Sequence, residues 1–150
     1  MRILVINGPN LNLLGSREPQ IYGGGNYQEL LLLIQQCCAA RGVDCGCFQS
    51  NHEGGIIDAI QGAVGRYDGI VINPAAYTHT SIAIADALRG VGLPAVEVHL
   101  SDITQREPYR RISYTADVCI GQIKGHGFAG YREAIELLID YLQCAEQERQ

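Results

Sequence analysis

The chain has 150 residues, 47% hydrophobic and 18% charged, which suits one domain spanning residues 1–150 and leaves little room for a second. A net charge of −5 without a Lys/Arg run gives no electrostatic footprint for nucleic acid or an anionic membrane, and no apolar stretch approaches the roughly eighteen residues of a membrane span. Met1 leads straight into an apolar run with no signal peptide, and Cys37, Cys38, Cys45, Cys47, Cys119 and Cys144 show neither C-x-x-C pairs nor metal-ligand spacing. A cytoplasmic protein with reduced, mostly buried thiols and no metal is expected.

Arg2–Ile6 (RILVI) is a nearly continuous apolar, β-branched run, the pattern of a strand covered on both faces of a parallel sheet. A long polar, Gly- and Pro-rich loop follows, from Asn7 to Gly25. Loops of that length inside compact domains are uncommon and usually serve as lids or binding loops. A helix is predicted over Tyr27–Arg41, with Asn26 as N-cap and Gly42 as its stop. Strand-like runs then recur at Val43–Phe48, Gly69–Ile72, Ala95–Val98 and Asp117–Ile120. The helical segments between and after them are Gly55–Gly65, Thr80–Arg89, a short turn near Pro108–Arg111, and Gly130–Gln143.

Alternating strands and helices predict a flavodoxin-like α/β fold: five parallel strands in the order 2-1-3-4-5 with helices on both faces, and a ligand crevice between strands 1 and 3. The segment Ser81–Leu88 (SIAIADAL) is apolar on nearly every side, with Asp86 its one charge. An outer helix of that kind is buried only against another subunit.

Three strand ends border the predicted crevice, and each carries a dense polar loop. After strand 1 stand Asn7, Asn10, Asn12, Arg17 and Tyr22; after strand 3, Asn73, Tyr77, Thr78, His79, Thr80 and Ser81; after strand 4, Glu97 and His99, then Ser101, Asp102, Arg106, Arg110 and Arg111. Glu97 and His99 are two apart and share one face of their strand. The loop after strand 2 adds Gln49, Ser50, Asn51, His52 and Glu53. Asn, His, Arg and Tyr, rather than Lys, Glu and Ser, are the types that orient ligands and move protons.

No nucleophile elbow, carboxylate cluster or P-loop is present. Acid/base chemistry on an oxygen-rich anion remains, with Tyr22 and His99 as proton carriers, arginines as charge partners, and the Asn12 and Asn73 amides as donors. Gly125–Gly130 (GHGFAG) matches a dinucleotide fingerprint, but the second strand and ribose-binding acid that the motif needs are missing, so a tight strand-to-helix turn explains its glycines. Lys124, the one lysine, suggests a Schiff base or a phospho-receiver domain, yet the receiver's acidic positions are Asn7 and Asn73 here. A binding module that holds a polyol carboxylate without turnover is the main alternative.

Four blocks, NGPNLNLLGSREPQIYG, FQSNHEG, NPAAYTHTSIAIADAL and VEVHLSDI, the last followed by Arg106, Glu107 and Arg110, closely resemble the signature segments of type II 3-dehydroquinate dehydratases in content and order. The resemblance implies reversible dehydration of 3-dehydroquinate to 3-dehydroshikimate without metal or cofactor, in a dodecamer built from trimers. It implies Tyr22 as the base at C2, Arg17 as the cation beside it, and Asn12 stabilising the enolate through a water. His99 would protonate the departing C1 hydroxyl, with Glu97 orienting it. Asn73, Leu100 and Ser101 would hold the carboxylate region, and His79 and Arg110 the ring hydroxyls. Asp86 would reach a neighbouring subunit's site. The chain departs from the usual pattern at Asp102, Gly55, Pro108-Tyr109 and the run GGGNYQE after Tyr22, changes expected to bear on substrate affinity.

These residue types suit that chemistry. A free phenol titrates near pH ~10, and a guanidinium within about 4–6 Å lowers that by roughly one to three units. A glutamate beside His99 would favour its imidazolium form, the better acid for a poor leaving group.

Overall fold

The computed structural model describes residues 1–16 and 24–150. The strands are β1 (Arg2–Asn7), β2 (Asp44–Gln49), β3 (Gly69–Asn73), β4 (Ala95–His99) and β5 (Gly121–Lys124), and the α-helices α1 (Tyr27–Ala40), α2 (Glu53–Gly62), α3 (Ile82–Val91) and α4 (Gly127–Glu148). All strand pairs are parallel, in the order β2-β1-β3-β4-β5.

The three inner strands are buried almost throughout, as their unbroken apolar runs require. Side-chain alternation divides them between two layers. Ile3, Val5, Val71, Val96 and Val98 pack with Leu30 and Ile34 of α1 and with Tyr131, Ile135, Leu138 and Ile139 of α4. Leu4, Ile6, Ile70 and Ile72 face the other way, onto Ile56 and Ile60 of α2 and Ile84 and Leu88 of α3.

Local chemistry sets the helix ends. Asn26 and Glu29 form a reciprocal capping box at the start of α1. Ser81 Oγ accepts the Ile84 N–H at 3.0 Å to start α3, and Gly92 ends it in the left-handed conformation, φ 69°. The glycines of GHGFAG do form a strand-to-helix turn: β5 ends at Lys124, Gly125 has φ +84°, and α4 begins at Gly127.

The fifth strand differs from expectation. Residues 116–118 form a turn of 3-10 helix, and the strand lies at Gly121–Lys124 (GQIK), in which only Ile123 is apolar. Val118 and Cys119 cover the α2/α3 layer rather than joining the sheet. An edge strand needs less apolar character, and Gln122 stands opposite Glu97 in the β4–β5 register. The thiols differ as well. Cys37 and Cys38 are buried, Cys45 and Cys119 half-buried, and Cys47 and Cys144 exposed, because β2 is an edge and Cys144 lies near the end of α4; all six are unpaired.

Candidate active site

The carboxyl ends of β1, β3 and β4 surround a cavity of about 700 Å³, its open mouth included. Pro9, Asn10, Leu11 and Leu14 line it from the loop after β1; Asn73, Ala75, Ala76 and His79 from the loop after β3; and His99, Leu100, Ser101, Ile103, Arg106 and Arg110 from β4 onward. An apolar wall of Pro9, Leu11, Leu14 and Ile103 facing two asparagines, two histidines, a serine and two arginines suits a small polar ligand.

The loops meet closely. A Cβ on Gly8 would lie 2.5 Å from the Pro74 carbonyl oxygen, so only glycine lets the first loop lie against the second. Asn10 (φ 69°) and Ala75 (φ 53°) adopt the left-handed backbone, uncommon for side-chain-bearing residues, and both line the cavity. The loop after β2 acts as scaffold: Asn51 Oδ1 accepts the Asn10 N–H at 3.0 Å, Gln49 Nε2 reaches the Gly8 carbonyl at 3.2 Å, and the Tyr77 hydroxyl donates to the Asn51 carbonyl at 3.0 Å.

His99 is 4% exposed, and its Nε2 lies 3.0 Å from Glu97 Oε2. Glu97 is wholly buried. Its carboxylate accepts from Ser113 Oγ at 2.8 and 3.0 Å, from Thr115 Oγ1 and from Gln122 Nε2. Burial alone would raise its pKa, but His99, Thr115 and Gln122 outweigh burial and hold it down at about 2. Glu97 is therefore a fixed negative charge behind His99.

His79 Nδ1 sits 2.7 Å from the Ile112 carbonyl. Burial lowers its pKa below the ordinary 6.5, and the His99 and Arg110 charges add to that against the opposing Ile112 contact. A neutral ring whose Nδ1–H donates to a carbonyl presents Nε2 as an acceptor. Arg110 is steadied by Glu107 Oε2 at 3.3 Å and by the Tyr109 ring, 5.3 Å from guanidinium carbon to centroid. Arg106 Nε lies 3.8 Å from the same carboxylate. Two guanidiniums on one cavity wall suit an anionic ligand. Among the described residues no three His, Cys, Asp or Glu side chains converge as metal ligands would.

A family model described as dehydroquinase class II matches residues 1–139. The chain belongs to the class II dehydroquinase family. It is 50% identical over 143 residues to a 3-dehydroquinate dehydratase of Geotalea daltonii, covering 95% of this chain and 99% of that one. It is 55% identical over 134 residues to the catabolic 3-dehydroquinase 1 of Aspergillus terreus, covering 89% and 88%. The crystal structure of the type II dehydroquinase from Butyrivibrio crossotus superposes with a TM-score of 0.90 at 54% identity, over 92% of this chain and 97% of that one.

Of the residues that the family resemblance singles out, Asn73, His79, His99, Leu100, Ser101 and Arg110 line one cavity, with Glu97 directly behind. Asn12 does not line it: its side chain is exposed, and its Oδ1 accepts from Gln49 Nε2 at 3.3 Å, while Asn10 holds the place at the wall. Asp86 is exposed on α3, paired with Arg89 at 3.0 Å, and does not line the cavity. Arg17 and Tyr22 lie outside the described residues. Of the family departures, Asp102 turns its carboxylate onto the Thr104 backbone N–H and hydroxyl, bonds that hold its pKa down, and it does not line the cavity. Gly55 sits on α2 against Ser50, likewise off the cavity.

Sequence reading missed the partners of Glu97. An acid in the middle of an apolar strand signals that donors must exist, but Ser113, Thr115 and Gln122 lie 16 to 25 residues on, with nothing local to mark them. Arg106 lines the cavity, whereas Arg111 turns its Nε onto the Arg106 carbonyl at 2.8 Å.

Proposed function

We propose that this chain is a 3-dehydroquinate dehydratase that removes water through an enolate, with Tyr22 as base and His99 as acid. Family membership and the dehydratase names of relatives at 50–55% identity support the reaction. The observation that carries the assignment of the acid is the pairing of cavity-lining His99 with the buried, ionised Glu97.

Abstraction of the C2 proton leaves charge on the ketone oxygen, which needs a donor already in place. The resemblance points to Asn12 as that donor; of the amides in the loop after β1, Asn10 lines the cavity, and we assign it that part. Tyr22, as phenolate beside Arg17, takes the proton, since a guanidinium keeps its charge throughout. The enolate then expels the C1 hydroxyl. His99 gives it a proton, so that water leaves and the conjugated enone forms, and Glu97 is the counter-charge a protonated imidazole needs. Arg106, Ser101, the Leu100 backbone and Asn73 suit the carboxylate end of the substrate, and the His79 Nε2 acceptor and Arg110 its hydroxyls.

We further propose a homo-oligomer, a dodecamer built from trimers, in which Asp86 serves a neighbouring subunit's site. Ile82 of the same helix is 58% exposed, and Tyr109 and Ile112 of the chain after β4 leave 66% and 57% of their surface open, apolar surface that a second copy would cover. No helix among the described residues is long and apolar enough to cross a membrane, and six unpaired thiols favour the cytoplasm. Relatives carry both a general and a catabolic name, so aromatic biosynthesis and quinate breakdown both remain in view.

One assay tests the reaction. 3-Dehydroshikimate is a conjugated enone that absorbs in the ultraviolet, and 3-dehydroquinate is not. Purified protein mixed with 3-dehydroquinate gives a rising absorbance; saturable binding with no absorbance change would make the chain a binding module instead.

A further inference from the structure

Tyr131 of α4 is fully buried beneath the carboxyl ends of β1 and β3. Asn7 and Asn73 end those strands and face each other in the register. The phenol joins them, donating to Asn7 Oδ1 at 2.7 Å and accepting from Asn73 Nδ2 at 2.9 Å.

A phenol has one proton to give, so this chain of bonds has a direction. With the phenol proton committed to Asn7, only the Asn73 nitrogen can serve Tyr131, and the Ala75 N–H, a backbone donor that cannot reverse, requires the same orientation. The oxygen then accepts the Ala75 N–H at 3.1 Å and holds the left-handed residue that begins the turn leading to His79. Burial pushes the Tyr131 phenol above its ordinary range, so it keeps its proton and the direction does not reverse with pH. Asn73 also lines the cavity, and its amide nitrogen has a second hydrogen beyond the one given to Tyr131.

We propose that Tyr131 is a positioning residue that, together with the Ala75 N–H, holds the polarity of Asn73, so that the cavity floor offers a substrate oxyanion an N–H donor rather than a carbonyl oxygen. This rests on the reading above that Asn73 meets the carboxylate end of the substrate. A ring packed in the core explains the aromatic bulk at residue 131; it does not explain a hydroxyl bridging the two strand-end amides.

The test is a double-mutant cycle on the full-length protein with Tyr131→Phe, Asn73→Ala and the pair, read by kcat and KM separately, with ¹⁵N spectra of the Asn73 side chain. Tyr131→Phe is expected to raise KM about tenfold and change kcat by no more than roughly threefold, the scale of one misdirected hydrogen bond to a charged group. In the Asn73→Ala background the same change should leave KM where Asn73→Ala put it. The Asn73 amide proton shifts should move in Tyr131→Phe without any ligand. An unchanged KM in Tyr131→Phe, effects that simply multiply in the pair, or unmoved amide shifts would each overturn the proposal. An Asn73→Ala variant with ordinary KM would instead sink the carboxylate reading, while the spectra still report whether Tyr131 holds the amide. If Tyr131→Phe does not fold, Asn7→Ala replaces it: the freed phenol proton then turns to Asn73, and the same KM rise and amide shifts are expected.

Discussion

Glu97 and His99 are separated by one residue on β4 and meet at 3.0 Å, the carboxylate wholly enclosed and the ring at the cavity wall. The strand places both on one face, and the loop at Ser113–Thr115 together with Gln122 of β5 closes over the acid. A buried negative charge so held cannot relax away from the ring it serves.

His99→Asn should lower turnover by about 10² to 10⁴, the range for loss of a general acid, and should also lower the melting temperature, because it takes a principal partner from the buried, ionised Glu97. Enone absorbance gives the rate and thermal unfolding the control. Turnover within a few-fold of the parent would move the acid's part to another group.

The Glu97 pKa, about 2 against an ordinary 4.5, has a sign for stability. The folded state binds the proton less readily than the unfolded one, so Glu97 stabilises the fold above pH 4.5 and that contribution is lost as pH falls through about 2. Denaturant unfolding between those limits should show a shallower pH dependence in Glu97→Gln than in the parent. Equal slopes would mean that the carboxylate is not held ionised.

Tyr22→Phe and Arg17→Ala should each lower turnover by orders of magnitude, as expected of the proposed base and the cation beside it. Near-normal turnover in Tyr22→Phe would require His99 to be reconsidered as the base.

Asp86→Ala should reduce activity if subunits share sites, because its carboxylate does not meet its own cavity. Light scattering run beside the assay separates a lost contact from a lost oligomer. A fully active isolated monomer would exclude sharing.

Gly8→Ala should destabilise the protein by about 1–3 kcal/mol, since the added methyl would sit 2.5 Å from the Pro74 carbonyl oxygen and force the two loops apart. Chemical denaturation reads the loss. Parent-like stability would show that the loops separate at no cost.

The alternation of apolar runs and helical segments was enough for the fold, because a strand covered on both faces has no freedom to be polar: β1, β3 and β4 stand within a residue of their expected bounds. The fifth strand was misplaced for the complementary reason. Its apolar neighbours Val118 and Cys119 are used against a helix layer, and the edge strand itself has Ile123 as its one apolar side chain.

The same division runs through the site. Strand periodicity alone put Glu97 and His99 on one face, and loop composition marked the strand ends where His79, Ser101 and Arg110 gather. Only the folded chain decided that Asn10 and not Asn12 meets the cavity, that Arg106 lines it while Arg111 does not, and that Thr115, Gln122 and Tyr131 are the partners of Glu97, Asn7 and Asn73. Periodicity and composition are local properties, written in neighbouring residues. A buried donor meets its acceptor across 18, 25 or 124 positions of chain, and that pairing exists only once packing has closed the loops between them.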